Sequence, residues 1–314
     1  MRMSRATLGL TLAGATLASL SWSLHWLIRS SLKAPRCVGS LTPQDHGLNF
    51  SQARIPTANG KQLAGWLIPS TRVGDRPALV ILHGWGSNSE QMLPLARPFH
   101  AAGYTLLMID ARCHGHSDED RFPSLPLFAE DLDHAIDWLR RQPGIAASEI
   151  SVLGHSVGAG AALLSASRRN DLRAVVSVSA FAHPEGVIRR RLEAKKVLYR
   201  PFGWYSLRYI ERFIGHRFDD MAPENTIAGV RCPVLLVHGR QDETVPVGDA
   251  LRIHTQSLTA NVDLLLVDGD HAFTAEQGRQ ISAIASLLSD WLRRYGAQPL
   301  QHDDGESLLC GVPA

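Results

Sequence analysis

Glu149-Ile-Ser-Val-Leu-Gly154-His155-Ser156-Val157-Gly158-Ala159-Gly160 reads as a buried strand that turns sharply into a helix at a serine. Ile150, Val152 and Leu153 form a short apolar run, and Ala159 to Leu164 are good helix formers. Gly154 and Gly158 stand two residues either side of Ser156. A serine on such a turn points its hydroxyl out of the sheet, the shape of a nucleophile elbow. The five-residue pattern by itself is weak, since chance supplies it in roughly one chain of this composition in six. A helix N-cap serine between two loop glycines is the competing reading. The rest of the chain decides between them.

Five further apolar runs resemble Glu149 to Leu153: Ala78 to Leu82, Tyr104 to Ile109, Ala174 to Val178, Pro233 to Val237 and Val262 to Val267. Short, nearly continuous apolar runs are what strands buried on both faces look like. Helix-length segments lie between most of them, at Glu90 to Ala102, Leu127 to Arg141, Val157 to Arg169, Val247 to Leu258 and Ala272 to Arg294. The alternation predicts a mostly parallel, doubly wound α/β sheet. Pro94 and Pro98 predict a kinked or broken first helix. Ahead of these, Leu48 to Ile55 and Gln62 to Ile68 flank Asn59-Gly60, which predicts an antiparallel hairpin.

Composition narrows the function. With 314 residues and 45% hydrophobic content, the chain can form one large domain with an insertion. A net charge of +2 gives no reason to expect a nucleic-acid partner. Cys37, Cys113, Cys232 and Cys310 show no zinc-like spacing and no disulfide framework. Residues 6 to 28 carry no Asp, Glu, Lys or Arg, and Trp22 and Trp26 stand close to Arg29. Residues 1–29 are therefore expected to be an uncleaved membrane anchor, with a cleaved signal peptide and secretion, or a soluble packing helix, as the alternatives. Residues 30–47 read as a linker, 48–295 as the globular domain and 296–314 as a disordered tail.

In open α/β sheets, functional groups collect at the carboxyl ends of the strands. His83-Gly84-Trp85-Gly86-Ser87 follows the first parallel strand, and its Trp85 amide with that of Val157 would supply two oxyanion donors. Asp242 follows the strand ending at Val237, and His271 follows the last strand. A serine needs a base to take its proton, and the base needs a carboxylate to fix its tautomer. Ser156, His271 and Asp242 can fill these roles, in the chain order serine, acid, histidine. Glu243, Asp268 and Asp270 compete for the acid. His83, His114, His116, His155 and His238 also lie near strand ends and are expected in supporting or loop roles.

With these motifs in order, the chain resembles the α/β-hydrolase superfamily over about residues 48 to 294. The shared motifs are H-G-W-G at 83–86, D-A-R-C-H-G-H-S at 110–117, G-H-S-V-G at 154–158, H-G-R-Q-D at 238–242 and G-D-H at 269–271. Within it, the chain looks most like the branch of serine aminopeptidase (S33-type) domains and membrane-anchored carboxylesterases. The resemblance implies Ser156 as nucleophile, Asp242 as acid, His271 as base, and the amides of Trp85 and Val157 as oxyanion donors. Two departures stand out. Trp85-Gly86 replaces the glycine and proline of the proline-aminopeptidase pattern, which counts against peptidase activity. Cys113 replaces a usual glycine, a change expected to concern packing only.

The resemblance also implies that the long insertion at about 181–226 is a helical cap. Residues 189–217 hold nine Lys or Arg against two Glu, interleaved with six aromatic residues. This fits either a basic amphipathic surface on an anionic bilayer or a solvated cationic face with its aromatics packed inward. The expectation is a serine hydrolase acting on carboxylic esters, thioesters or amides through an acyl-enzyme, with a small acyl-ester or lipid-like substrate. It requires no metal or organic cofactor. The alternatives are an acyltransferase on the same residues and a catalytically silent, membrane-tethered binding module.

Overall fold

The computed structural model describes residues 16, 19, 21–258, 261–271 and 286–294. Its strands are β1 (Ser51–Pro56), β2 (Gln62–Ile68), β3 (Arg76–Leu82), β4 (Thr105–Ile109), β5 (Ile145–His155), β6 (Val175–Val178), β7 (Val234–Gly239) and β8 (Val262–Val267). They form one sheet in the order β1-β2-β4-β3-β5-β6-β7-β8. β2 is antiparallel to both of its neighbours, and every pairing from β4 onward is parallel. Each expected strand is present, and the hairpin turns where Asn59 and Gly60 both take positive φ.

The helices are α1 (residues 21–31), α2 (Leu93–Ala101), α3 (Leu125–Arg140), α4 (Val157–Ala166), α5 (Pro184–Ala194), α6 (Trp204–Ile214), α7 (Phe218–Met221), α8 (Pro223–Thr226), α9 (Val247–Thr255) and α10 (residues 286–294). Burial on both sheet faces is visible along β3. Ala78, Val80 and Leu82 join one core with α3 and α4, while Leu79 and Ile81 join the other with α2 and α10. Alternation of this kind puts large side chains into both layers, each contributing about 1.5–3 kcal/mol when fully buried.

The segment Glu90 to Ala102 is broken, as expected. A 3-10 turn at Ser89–Met92 takes up the start of the segment, so α2 begins at Leu93. Pro94 then falls in the first turn, where a missing N–H loses no intrahelical partner, and only Pro98 lies inside. Cys113 departs from expectation. Its φ is 67°, in the left-handed region where a side chain is strained, so the replaced glycine concerns the backbone as well as packing.

Ahead of β1, α1 buries Ile28 and packs Leu24 and Leu32 on the core, an i, i+4 stripe. Residues 33–47 then cross the body as a strap. Arg36 donates to the Ser117 carbonyl at 2.7 Å and pairs with Glu119, while the Cys37 carbonyl accepts from Asn88 at 3.1 Å. Most of the expected membrane segment, the start of the expected last helix, and the tail with Cys310 lie outside the described residues. Among the described residues, no helix is long and apolar enough to cross a membrane.

Between β6 and β7 the chain forms α5 to α8. α6 carries a column of rings, Tyr205, Tyr209 and Phe213, and His25 of α1 stacks on Tyr209 with centroids 4.4 Å apart. Arg29 donates to the Tyr209 hydroxyl at 2.6 Å and lies over the Phe213 ring. Part of the aromatic set is therefore packed inward, on α1.

Candidate active site

β5 delivers Ser156 to the carboxyl edge of the sheet, and the turn there is forced. Ser156 has φ 54° and ψ −115°, a conformation that costs a non-glycine residue on the order of 1–3 kcal/mol. A Cβ on Gly154 would sit 2.1 Å from the Gly158 carbonyl oxygen, and one on Gly158 would sit 2.4 Å from that of His83. Both positions thus require glycine, because strand, helix and the loop after β3 converge there. The Ser156 amide is held by the Val178 carbonyl at 2.8 Å.

The structure brings Ser156, His271 and Asp242 together from three different strand ends. His271 Nε2 lies 3.0 Å from Ser156 Oγ, and its Nδ1 lies 2.7 Å from Asp242 Oδ2. Asp242 is buried, and its other oxygen accepts the amides of Thr244 at 3.0 Å and Val245 at 2.7 Å. Burial pushes the Asp242 carboxyl up, but the hydrogen bonds from His271 and the Val245 amide outweigh it, leaving the pKa below its ordinary 3.8. An ionised Asp242 fixes the proton on Nδ1 and leaves the Nε2 lone pair for the serine hydroxyl. Glu243, Asp268 and Asp270 make no hydrogen bond to the His271 ring among the described residues.

The Trp85 and Val157 amides have no hydrogen-bond partner among the described residues. Their loop is braced by two histidines. His114 Nε2 accepts the Gly86 N–H at 3.0 Å while its Nδ1 donates to the Arg112 carbonyl at 3.0 Å. His83 Nδ1 donates to the Gly84 carbonyl at 2.7 Å, and its Nε2 accepts the Ala111 N–H at 3.0 Å. Each imidazole both donates and accepts, which only the neutral ring can do. Burial, reinforced by His114, pushes His83 down to about 4, and burial lowers His114 as well.

Arg112 frames this loop from below, fully buried against Asp131 at 2.6 Å and Asp120 at 2.9 Å. Asp110 accepts the amide and hydroxyl of Ser89 at 2.7 Å and the His116 amide at 2.8 Å. His155 donates from Nε2 to the His271 carbonyl at 2.9 Å, tying the elbow to the segment that carries His271. Burial, with His271 nearby, pushes His155 down to about 4. His238 donates to the Val245 carbonyl at 2.8 Å and lies 3.4 Å from Asp242. Spacing alone cannot reveal such bracing, because it depends on which carbonyls the loops present.

Two cavities meet at Trp85. One, of about 520 Å³, is lined by Ser156, His271, Gly84, Met92 and, from the strap, Leu41 and His46. The other, of about 130 Å³, lies beneath the cap, with Val157, Phe181, Ile188, Ile210 and Met221 in its walls, Ser31 from α1 and Leu32 just after it. The contribution of the strap and α1 is illegible in the sequence, where proline and glycine spacing make the strap a connector and the apolar run makes α1 part of a membrane anchor. On the body side, Asn88 holds the Cys37 carbonyl, and Glu119 and the Ser117 carbonyl hold Arg36.

A family model described as serine aminopeptidase, S33, matches residues 75–215. Among curated proteins, the chain is 34% identical over 139 residues to the polyketide transferase af380 of Aspergillus fumigatus, covering 43% of this chain and 47% of that protein. It is 29% identical over 143 residues to the thiohydrolase aneE of Aspergillus aculeatus, covering 44% of each. The chain thus spans less than half the length of these two relatives. Among solved structures, the esterase Pf2001 of Pyrococcus furiosus superposes with a TM-score of 0.69 at 24% identity, covering 84% of this chain and 97% of that one. At that identity the likeness establishes the fold.

Proposed function

We propose that the chain is a serine hydrolase of the α/β-hydrolase superfamily, cleaving carboxylic esters through an acyl-enzyme; the family model over residues 75–215 and the shared fold support this reading. The observation that carries this reading is the relay from Asp242 through His271 to Ser156, at 2.7 and 3.0 Å. Ser156 Oγ attacks the ester carbonyl as His271 Nε2 takes its proton. The carbonyl oxygen becomes an oxyanion held by the Trp85 and Val157 amides, and His271 then protonates the departing alkoxide. Water, deprotonated by the same nitrogen, attacks the acyl-enzyme and releases the acid. Asp242 keeps the imidazole in the required tautomer throughout. The cavity beneath the cap, apolar and lined by Val157, supports an apolar acyl group as the part bound on that side.

Fluorophosphonate labelling tests the reading, followed by rates on an ester series of increasing acyl length. Wild type is expected to label and Ser156→Ala to stay unlabelled; a well-folded wild type that does not label overturns the assignment.

A second reading is acyl transfer or thioester cleavage on the same residues. The relatives named polyketide transferase and thiohydrolase favour it. Adding alcohol acceptors and counting ester against acid products separates transfer from hydrolysis. We further propose that residues 1–29 stay on the mature chain as a membrane anchor. The seat of Leu24, Ile28 and Leu32 on the core supports retention. Amino-terminal sequencing of the mature protein tests this, and a start beyond residue 24 refutes it.

A further inference from the structure

The outer face of the cap is built unlike the rest of the surface. On α6, Trp204, Tyr205, Arg208 and Arg212 are exposed, while Leu207 and Ile210 are buried. At about 100° per residue, the first four fall on one side of the helix and the buried pair on another. Immediately ahead of the helix, Leu198 is 72% exposed and Phe202 56%, and Trp204 at its start is 54% exposed. Large apolar side chains exposed together on a soluble face call for a covering partner.

α1 extends the same face. Its core stripe of residues 24, 28 and 32 is followed around the helix by His25 and Arg29, which meet Tyr205 and Tyr209. The next positions round are Trp22 and Trp26, 71% and 58% exposed. Two tryptophans therefore stand beside the aromatic side chains of α6, held there by the His25 and Arg29 contacts.

Four cations of the cap are paired: Arg208, on this face, with Glu211, and Arg189, Arg190 and Arg217 with Glu193, Asp249 and Asp219. Arg191, Lys195, Lys196, Arg200 and Arg212 are exposed and have no ion-pair partner among the described residues. Unpaired cations around exposed Trp, Tyr and Phe match a surface that offers anionic head groups above apolar chains.

We propose that this face is a docking surface for an anionic lipid bilayer, with Trp22, Trp26, Phe202 and Trp204 in the head-group boundary and the unpaired cations on the phosphates. An acidic protein would match the cations and leave the aromatic rings in water. The elements that bear the surface also wall the cavity beneath the cap: Arg191 and Ile188 come from α5, Ile210 from α6, and Leu32 follows α1. Docking therefore brings the elements that wall that cavity to the lipid surface. The docking itself does not rest on the reaction proposed above.

The test uses the full chain and two sets of vesicles, phosphatidylcholine alone and phosphatidylcholine with about one part in three phosphatidylserine. A basic residue close to an anionic surface is worth roughly fivefold in partition. At low salt, binding to the anionic vesicles is expected to exceed binding to the neutral ones at least tenfold. Replacing Lys195, Lys196, Arg200 and Arg212 together by Gln should bring the ratio close to one, at an unchanged thermal midpoint. With bromine-labelled phosphatidylcholine in the anionic vesicles, Trp204→Phe should lower the quenchable fraction of tryptophan fluorescence. A ratio near one in the wild type overturns the proposal and leaves the cations to an acidic macromolecule. A ratio that survives the fourfold substitution, or quenching indifferent to Trp204→Phe, overturns it equally.

Discussion

The sheet edge around Ser156 and the outer face of the cap handle polar groups in opposite ways. At the edge, Asp242 accepts three hydrogen bonds, and His83 and His114 each make one bond per ring nitrogen while buried. On the cap, cations stand unpaired in solvent beside exposed rings. A buried network is costly unless satisfied, and once satisfied it holds one geometry. An exposed, unpaired set holds no geometry and is free to meet a partner whose own shape is fluid. Pre-organisation at one end and adaptability at the other follow from the same chain, because β-strands fix the first and short helices carry the second.

If the edge is organised for chemistry, its members must matter in proportion to their closeness to the reacting atoms. Asp242→Asn should cut kcat on a soluble ester by about 10⁴, because the amide no longer enforces the tautomer with Nδ1 protonated. Steady-state kinetics check this, and a loss under tenfold would detach Asp242 from the relay. His114→Ala removes the acceptor for the Gly86 amide, so the loop bearing Trp85 should lose its aim. A fall in kcat on the order of 10² with little change in KM is expected, since the oxyanion forms only in the transition state.

The buried histidines also give the edge an acid sensitivity. His83 and His155 stay neutral in the folded protein down to about pH 4, whereas in the unfolded chain they take up protons near 6.5. Their contribution is complete above about pH 6.5 and is lost as the pH falls toward 4, with a slope of up to about 1.4 kcal/mol per pH unit for each ring. Asp242, with its lowered pKa, gives way only further down, as the pH falls through its folded-state value. Thermal midpoints measured between pH 7 and 4.5 should fall steadily, and His155→Asn should flatten the curve. The smallest effect belongs to the cap: Arg212→Gln should alter turnover of a soluble ester by no more than about twofold, since its exposed side chain has no partner within the edge. A larger change would join the two regions that the structure keeps apart.

What the sequence shows, and what it hides, follows the same division. Continuous apolar runs such as Ala78 to Leu82 announce strands because both faces are buried, and Gly154 and Gly158 mark the elbow because nothing larger fits. Ser156, Asp242 and His271 can be picked out because they follow strand ends. The histidine braces cannot, because His114 acts through a backbone amide 28 residues away that no pattern of side chains records. The cap was half legible: its charge and rings are plain, but Tyr209 and Phe213 turn inward to α1 while Trp204 turns outward. The strap is the least legible, since Pro35 and Gly39 read as a connector.

Pro35 lies so close to Gly86 that a Cβ there would come within 2.8 Å of its ring, and Leu41 lines the larger cavity. A chain trimmed to its first strand at Ser51 would keep every residue of the relay and still lose a wall of the cavity and the backing of the Trp85 loop. The beginning of the working unit is therefore set inside α1, some twenty to thirty residues ahead of the sheet. A graft or fusion that respects the strands alone would carry over Ser156 without the enclosure that surrounds it.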